Sequence, residues 1–473
     1  MIRRPLTFAL ALALLPSAAF AEDLLQTYEL ARESDPQYSA AESTRLATKE
    51  GVVQARSTLL PQISGEASLT RSRSDGASVQ QQFDEDTQQF FQFTVDSESN
   101  TTRRDLGLNL RQMVFDRGNF TRVRSQGALS EAADFQLASA GDSLITRTSQ
   151  AYFNVLVAIE TLAAAQAQEA ALKKQFDFAD KRLEVGLAPI TDVHEARAQY
   201  DSARANTIVV RNALEDAYQA LVEITDRPIR NLNALPEDFQ PAMPAERGAD
   251  EWVAVAIENN PALRAKELQV ESAAANVETA KAGRWPTVYL NGSYGDSKVT
   301  GDRTSTVGGV GNTFPTDQDS RGPQLGVTLN VPIFTGGRIS SEIRQAVARR
   351  DVASDELVQQ RRALERNTRN AYQTLLAGIS EVEARKAAVF SARSAYDASQ
   401  VGLEVGTRTV LDVLNNQQTL FNAEREYALS RYNFLQNRLL LEQAAGTIDV
   451  GSVQDVNRLL TVSVAPQVEP GSP

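Results

Sequence analysis

Cysteine is absent from this 473-residue chain, and histidine occurs once. Without cysteine there is no disulfide, no thiolate nucleophile, no Cys-ligated metal and no lipid-bearing N-terminal Cys. A single histidine excludes a His-rich zinc site, and His194 reads as an exposed helix residue rather than as the base of a triad. Long apolar runs are missing too: beyond the N-terminus no uninterrupted stretch reaches the ~20 residues a helix needs to cross a bilayer. A membrane span in this chain would therefore be built from strands. Basic residues are outnumbered, 48 against 60 acidic, for a net charge of −12. That balance argues against nucleic acid as a partner and against peripheral binding to anionic lipid. No Gly-rich motif cradles a phosphate, and "GGVGN" from 308 reads as loop, so an enzyme has little to work with.

What is present begins with residues 1–21, "MIRRPLTFALALALLPSAAFA": two arginines, an apolar core and an Ala-Phe-Ala ending, the pattern of a secretory signal peptide. The remainder is written twice. "LEVGLAPITDVHEA" (183–196) returns as "LEVGTRTVLDVLNN" (403–416), the stretch 33–69 returns as 258–294 with Pro36 and Pro61 matching Pro261 and Pro286, and "AYFNVL" (151) returns as "AYQTLL" (371). This divides the chain into a first repeat (22–225), a linker (226–250), a second repeat (251–446) and a tail (447–473).

Each repeat has the same order. A helical stretch rich in Ala, Glu, Gln and Lys (about 33–59 and 252–284) stops at Pro61 or Pro286. Strand pairs follow, about 62–112 and 287–333. In "LGVTLNVPI" Leu325, Val327, Leu329, Val331 and Ile333 face one way and Gly326, Thr328, Asn330 and Pro332 the other; "QISGEASL" opposes Ile63, Ala67 and Leu69 to Gln62, Ser64, Glu66 and Ser68. The Ser-, Thr-, Gly- and Asp-rich segments 71–103 and 296–320 read as loops. Alternation of this kind fits either a half-buried soluble sheet or a lipid-facing, water-lined barrel. Four strands cannot close a membrane barrel, which needs about eight, whereas three chains would supply twelve.

Two long helical stretches, 118–184 and 338–404, could each extend ~100 Å. Their apolar positions, Ile145, Tyr152, Leu156, Ile159 and Ala163 with Tyr372, Leu376 and Ile379, step as a packing seam. Gly186 and Gly406 end these helices, Pro189 suits a first helical turn, and returning helices run from about 190 to 223 and 409 to 444. Each repeat thus ends in a helical hairpin with its tip near 185–190 or 405–409.

With strand pairs, paired helices and both tips in view, the chain resembles the TolC-family outer membrane efflux and secretion channels, in their unlipidated branch. The resemblance is carried by "ARSTLLPQ", "SQAYFNVLVAIETL", "VGLAPITDVHEARAQYD", "VPIFTGG", "VGTRTVLDVL" and "SRYNFLQNRLL". It implies an α+β membrane protein: a homotrimer whose twelve-stranded outer-membrane β-barrel, four strands per chain, continues as a periplasmic α-helical barrel. An equatorial belt would come from about 226–250 and the segment after 446. It implies a passive exit duct for a tripartite efflux pump or type I secretion system, engaging a periplasmic adaptor (membrane fusion protein) and an inner-membrane transporter of RND, ABC or MFS type. No cofactor and no reaction belong to the family. The alternative is a periplasmic coiled-coil scaffold without a pore, which leaves the alternating strands idle.

The same resemblance assigns candidate residues. Val185, Gly186, Leu187, Val405, Gly406 and Thr407 match adaptor-docking turns, although helix termination alone also explains them. Asp412 matches a constriction ring of carboxylates, and "TVLD" equally makes it a helix-start residue capped with Thr409. Asn415 stands where the family often has a second aspartate, so one ring would be uncharged. Gln175, Thr191, Asp192 and Arg408 match a polar network that closes the tip, with Arg408 as donor and Asp192 as acceptor. Leu403 replaces an aromatic partner of that network. The Gln-rich, Phe-containing segment around 79–95 has no assigned role.

Overall fold

The computed structural model describes residues 23–187 and 189–464. The signal-peptide pattern at 1–21 lies outside the described residues, as do Ala188 and the end of the tail. In chain order the elements are α1 (Leu24–Ser34), α2 (Pro36–Ser57), β1 (Gln62–Asp84), β2 (Gln89–Phe115), α3 (Arg117–Glu184), α4 (Ile190–Thr225) and β3 (Leu232–Ala234). They continue with α5 (Ala249–Asn259), α6 (Pro261–Ala282), β4 (Thr287–Val307), β5 (Val310–Asn330), α7 (Arg338–Glu404), α8 (Val410–Ala445), α9 (Val450–Asn457) and β6 (Val462–Val464). The chain divides into two compact units, one of residues 47–131 and 268–355 and the other of 23–46, 132–267 and 356–464.

The first unit contains an antiparallel sheet in the order β1-β2-β4-β5. β1 pairs with β2 from Gln62↔Arg111 to Asp84↔Gln89, β2 with β4 from Val95↔Val307 to Phe115↔Val288, and β4 with β5 from Thr287↔Asn330 to Val307↔Val310. The strands are far longer than expected. The segments 71–103 and 296–320 are not loops but continue the ladders, and the connections shrink to residues 85–88 and to Gly308-Gly309, both at positive φ. Conversely, β5 ends at Asn330, leaving Val331 and Ile333 outside it. Side-chain alternation runs through the sheet: Leu106, Leu108, Leu325, Val327 and Leu329 lie on one face and are all exposed within the chain. In the same unit α3 meets α6 through small polar side chains, with Ser125 and Ser272 hydroxyls 2.8 Å apart, Thr121 and Thr279 2.7 Å apart, and Arg124 bonded to Glu271 at 3.0 Å.

The second unit holds the main core. Leu144, Ile145, Tyr152, Val155, Leu156, Ile159 and Leu162 of α3 pack with Leu214, Tyr218 and Leu221 of α4 and Tyr432, Leu435 and Leu439 of α8. α3 includes one stretch long and apolar enough by composition to cross a membrane, but its buried positions are part of this core. In the seam of the second repeat Tyr372 and Ile379 pack against this core as expected, but Leu376 faces outward and its place is taken by the buried Leu375, with Val382 further along. The short strands β3 and β6 pair antiparallel in this unit. Three tyrosines strap that connection down. Tyr152 Oη donates to Asn233 O at 2.9 Å and accepts from Asn233 N at 2.8 Å, Tyr218 Oη donates to Arg230 O, and Leu235 N donates to Tyr432 Oη. Tyr432 Oη in turn donates to Glu160, which also receives the buried Arg431 at 2.5 Å. Burial, reinforced by the Glu160 charge, pushes the Tyr432 phenol far above its ordinary pKa.

The expected leading helices are each broken once. Asp35 before Pro36 and Asn260 before Pro261 take extended backbone, as a residue preceding proline must. Their side chains then cap the next helix, accepting from Tyr38 N at 2.8 Å and Leu263 N at 3.1 Å.

Candidate functional site: the two hairpin tips

Both tips fold from one local rule. Gly186 and Gly406 sit at φ +74° and +78°, the left-handed region where a side chain is strained. In each, the glycine N–H bonds three residues back (Leu183 O, 2.9 Å; Leu403 O, 3.2 Å) and the next N–H five back (Arg182 O, 2.7 Å; Gly402 O, 2.8 Å). This double bond pattern is a Schellman end, and it satisfies carbonyls the helix would otherwise leave open. The residues around the glycine are thereby turned outward. Val185, Leu187 and Val405 are about two-thirds exposed, three branched apolar side chains standing in water.

The two tips differ beyond that. At the first, Arg182 lies over the Phe178 ring and reaches the Leu187 carbonyl at 3.4 Å. At the second, the matching helix position is Gly402, and the arginine comes instead from the turn. Arg408 lays its stem across the notch, where a Cβ on Gly402 would stand 2.6 Å from Arg408 Cγ. Gly402 O accepts from Thr407 N, Arg408 N (3.1 Å) and Thr407 Oγ1 (3.1 Å) together. Gly402 belongs to the site without matching any of the expected site residues, and a glycine inside a helix is the one sequence signal of its role.

The returning helices begin differently as well. α4 starts after Pro189 with no side-chain cap, and Asp192 lies in its first turn. α8 starts with a complete capping box: Asp412 N donates to Thr409 Oγ1 at 3.2 Å, and Thr409 N donates to Asp412 Oδ2 at 3.0 Å. The Thr409 backbone and hydroxyl bonds, aided by nearby Arg408, hold the Asp412 carboxyl below the usual carboxylate range. Val410 and Leu414 pack against Leu172 of α3 and Ala203 and Tyr200 of α4. By helical periodicity Asp412 and Asn415 fall on the opposite face of α8, away from that contact.

The polar-network residues are only partly brought together within one chain. Thr191 Oγ1 is 3.5 Å from Asp192 Oδ1. Among the described residues no ion pair joins Asp192 to Arg408. Gln175 Oε1 is buried without a hydrogen-bond partner in the chain. His194 is exposed, as its helix position suggested.

Comparison with known proteins agrees with this architecture. The family model for outer membrane efflux proteins matches residues 27–226 and 252–447, one match per repeat. The outer membrane protein TolC of Vibrio cholerae is 32% identical over 460 residues, covering 97% of this chain and 98% of its own length. The alkaline protease secretion protein AprF of Pseudomonas aeruginosa is 30% identical, covering 96% and 91%. Among solved structures, the CmeC outer membrane channel of Campylobacter jejuni superposes with a TM-score of 0.70 at 17% identity, over 93% of this chain and 90% of that one. A doubled match of that extent, on a sheet with one apolar row and on paired helical hairpins, leaves one conclusion: the chain belongs to the outer membrane efflux protein family.

Proposed function

We propose that three copies of this chain form a passive exit duct for a tripartite efflux pump or a type I secretion system. It catalyses no reaction; cargo is driven by an inner-membrane transporter and handed over through a periplasmic adaptor. The observation that supports this best is the split of the sheet into two rows. On β1 and β2 one row, Ser64, Glu66, Ser68, Asp105 and Asn109, is polar and suits a water-filled lumen, while Ile63, Leu69, Leu106 and Leu108 suit lipid. Four such strands are too few to close on themselves, and two further chains add the eight that complete a ring of twelve.

The tips serve as adaptor docks. Exposed Val185, Leu187 and Val405 provide apolar contact, and Gly186 and Gly406 admit a partner's backbone, with Thr407 completing the second turn. Asp412 points from the free face of α8, so three copies around an axis form a cation-attracting ring, with the uncharged Asn415 one turn deeper. Arg408, held in the Gly402 notch, reaches Asp192, Thr191 or Gln175 of a neighbouring hairpin and closes the resting state. The test is single-channel conductance of detergent-purified protein in a planar bilayer. Cation-selective conductance that loses its selectivity in Asp412→Ala supports the duct with Asp412 on its axis; folded protein that never conducts overturns it.

A further inference from the structure

We infer that the β1–β2 ribbon is a lid: resting on the trimeric duct proposed above, the three copies fold their 79–94 segments across the outer mouth of the barrel and bury phenylalanines against one another. The first ground is register. β1 and β2 remain paired to Asp84↔Gln89, whereas β2 leaves β4 at Val95↔Val307, where the neighbouring hairpin turns at Gly308-Gly309. The rungs from Val79↔Thr94 to Asp84↔Gln89 therefore overhang β4 and β5 by about 20 Å at about 3.4 Å per residue.

The second ground is a change of chemistry on the lumen row. Along β2 that row reads Asn109, Gly107, Asp105, Arg103, Thr101, Ser99 and Ser97, polar throughout, as a water-lined wall requires. The β1–β2 register continues without a bulge, yet the same row turns apolar at the last β4-paired rung, Val95, and beyond it runs through Phe93 and Phe91. Val95 is already 7% exposed, and Phe91 and Phe93 lie against each other at 5.8 Å between ring centroids. Apolar side chains on the water side of a channel need a cover.

Reach supplies the occupant. Twelve strands about 4.8 Å apart and tilted about 40° enclose a backbone radius of about 12 Å. A ribbon of about 20 Å is long enough to arrive at the axis, where its symmetric copies arrive as well. A lone two-stranded ribbon is marginal in water, and mutual burial of these rings offsets that weakness. The outer row pairs Phe83 with Phe90 at 5.0 Å and stays on the outside of the lid.

The absence of cysteine makes a direct test possible. Phe91→Cys, Phe93→Cys and, as the outer-row comparison, Phe90→Cys are each purified in detergent, shown to be trimeric by light scattering, shown to have a reactive thiol with a maleimide, and oxidised mildly. The lid predicts reducible covalent dimers from Phe91→Cys or Phe93→Cys at least ten-fold faster than from Phe90→Cys. Equal rates at all three positions mean random collision of ribbons and overturn the lid, as does the absence of dimers in a labelled trimer. Monomeric protein overturns the trimeric duct itself and the lid with it. Independently, Phe91→Ala with Phe93→Ala should raise conductance at least two-fold once the periplasmic end is opened by Arg408→Ala; unchanged conductance refutes the lid.

Discussion

Two glycines with nearly the same backbone angles should respond very differently to the same substitution. Gly446, at φ +67°, closes α8, and Gly406, at φ +78°, closes α7. Alanine at either costs about 1–2 kcal/mol for the left-handed conformation. At Gly406 an added Cβ meets nothing within 4 Å, so the cost stops there. At Gly446 it would stand 2.7 Å from the carbonyl carbon and oxygen of Asn259 and from Asn260 Cα. Those are backbone atoms at the α5–α6 junction, which Asn260 fixes by donating to Ala444 O at 3.2 Å and accepting from Leu263 N. The junction must retreat by about 1 Å to reach an ordinary contact of about 3.5–4 Å, an overpacking cost of about 1–3 kcal/mol. Gly446→Ala should therefore lose about 2–5 kcal/mol per chain and Gly406→Ala about 1–2 kcal/mol. Thermal unfolding of detergent-solubilised protein gives the ranking through apparent midpoints at one scan rate, since unfolding of an oligomer is not two-state. Equal midpoints for the two variants would refute the assignment of the extra cost to the Asn259–Asn260 backbone.

Other perturbations follow from the same geometry. Because the Thr409 bonds and Arg408 hold the Asp412 carboxyl below the usual carboxylate range, cation selectivity should outlast the acidification that neutralises an ordinary exposed carboxylate and collapse only at lower pH, with reversal potential as the readout; Asp412→Asn should abolish it at every pH. Burial pushes Asp142 up to about 6, so the folded chain holds this proton more tightly than the unfolded one, and stability should decline as pH rises from about 4 to about 6. Asp142→Asn should flatten that slope and raise the midpoint above pH 6. Tyr152→Phe leaves both Asn233 backbone groups without their side-chain partner and should cost about 1–3 kcal/mol, read as a lower unfolding midpoint. Val405→Asp should leave assembly and conductance intact while reducing co-purification with an adaptor at least ten-fold, because a carboxylate replaces the exposed apolar contact.

The fold class was legible because duplication shows each element of the repeat twice, the linker and tail elements β3, α9 and β6 excepted, and because Gly186 and Gly406 each end a long helix. Strand length was not. Between the apolar band and the Phe-bearing end of the β1–β2 ribbon both rows are largely polar, as where Ser72 meets Thr101 and Thr304 meets Thr313 by hydroxyl contacts of 2.9 Å, so hydrophobic alternation fades while the backbone ladder goes on. Leu376 departs from the expected seam for a related reason, while Tyr372 and Ile379 do pack against the core: Leu375 and Leu376 are adjacent apolar residues, and composition alone does not say which one a neighbouring helix covers. At the tips, the Thr409–Asp412 box could be read from spacing. Gly402 leaves a one-dimensional trace as a glycine inside a helix, but that Arg408 fills the space opposite it shows only when the two segments are placed side by side.

The strand order β1-β2-β4-β5 has a consequence for the cell that makes this protein. The two repeats meet through β2 and β4, which leaves β1 and β5 as bare edges of 23 and 21 residues. A single finished chain is thus a sticky intermediate whose edges will accept any extended strand, and closure of the ring is the only state that hides them all. In the proposed three-chain ring each seam joins β1 of one chain to β5 of the next, so a copy with proline inside β1 leaves one seam open, which is enough to keep the ring from closing and to poison its wild-type partners. In a cell making both versions equally, only about one ring in eight would be free of it by random assortment.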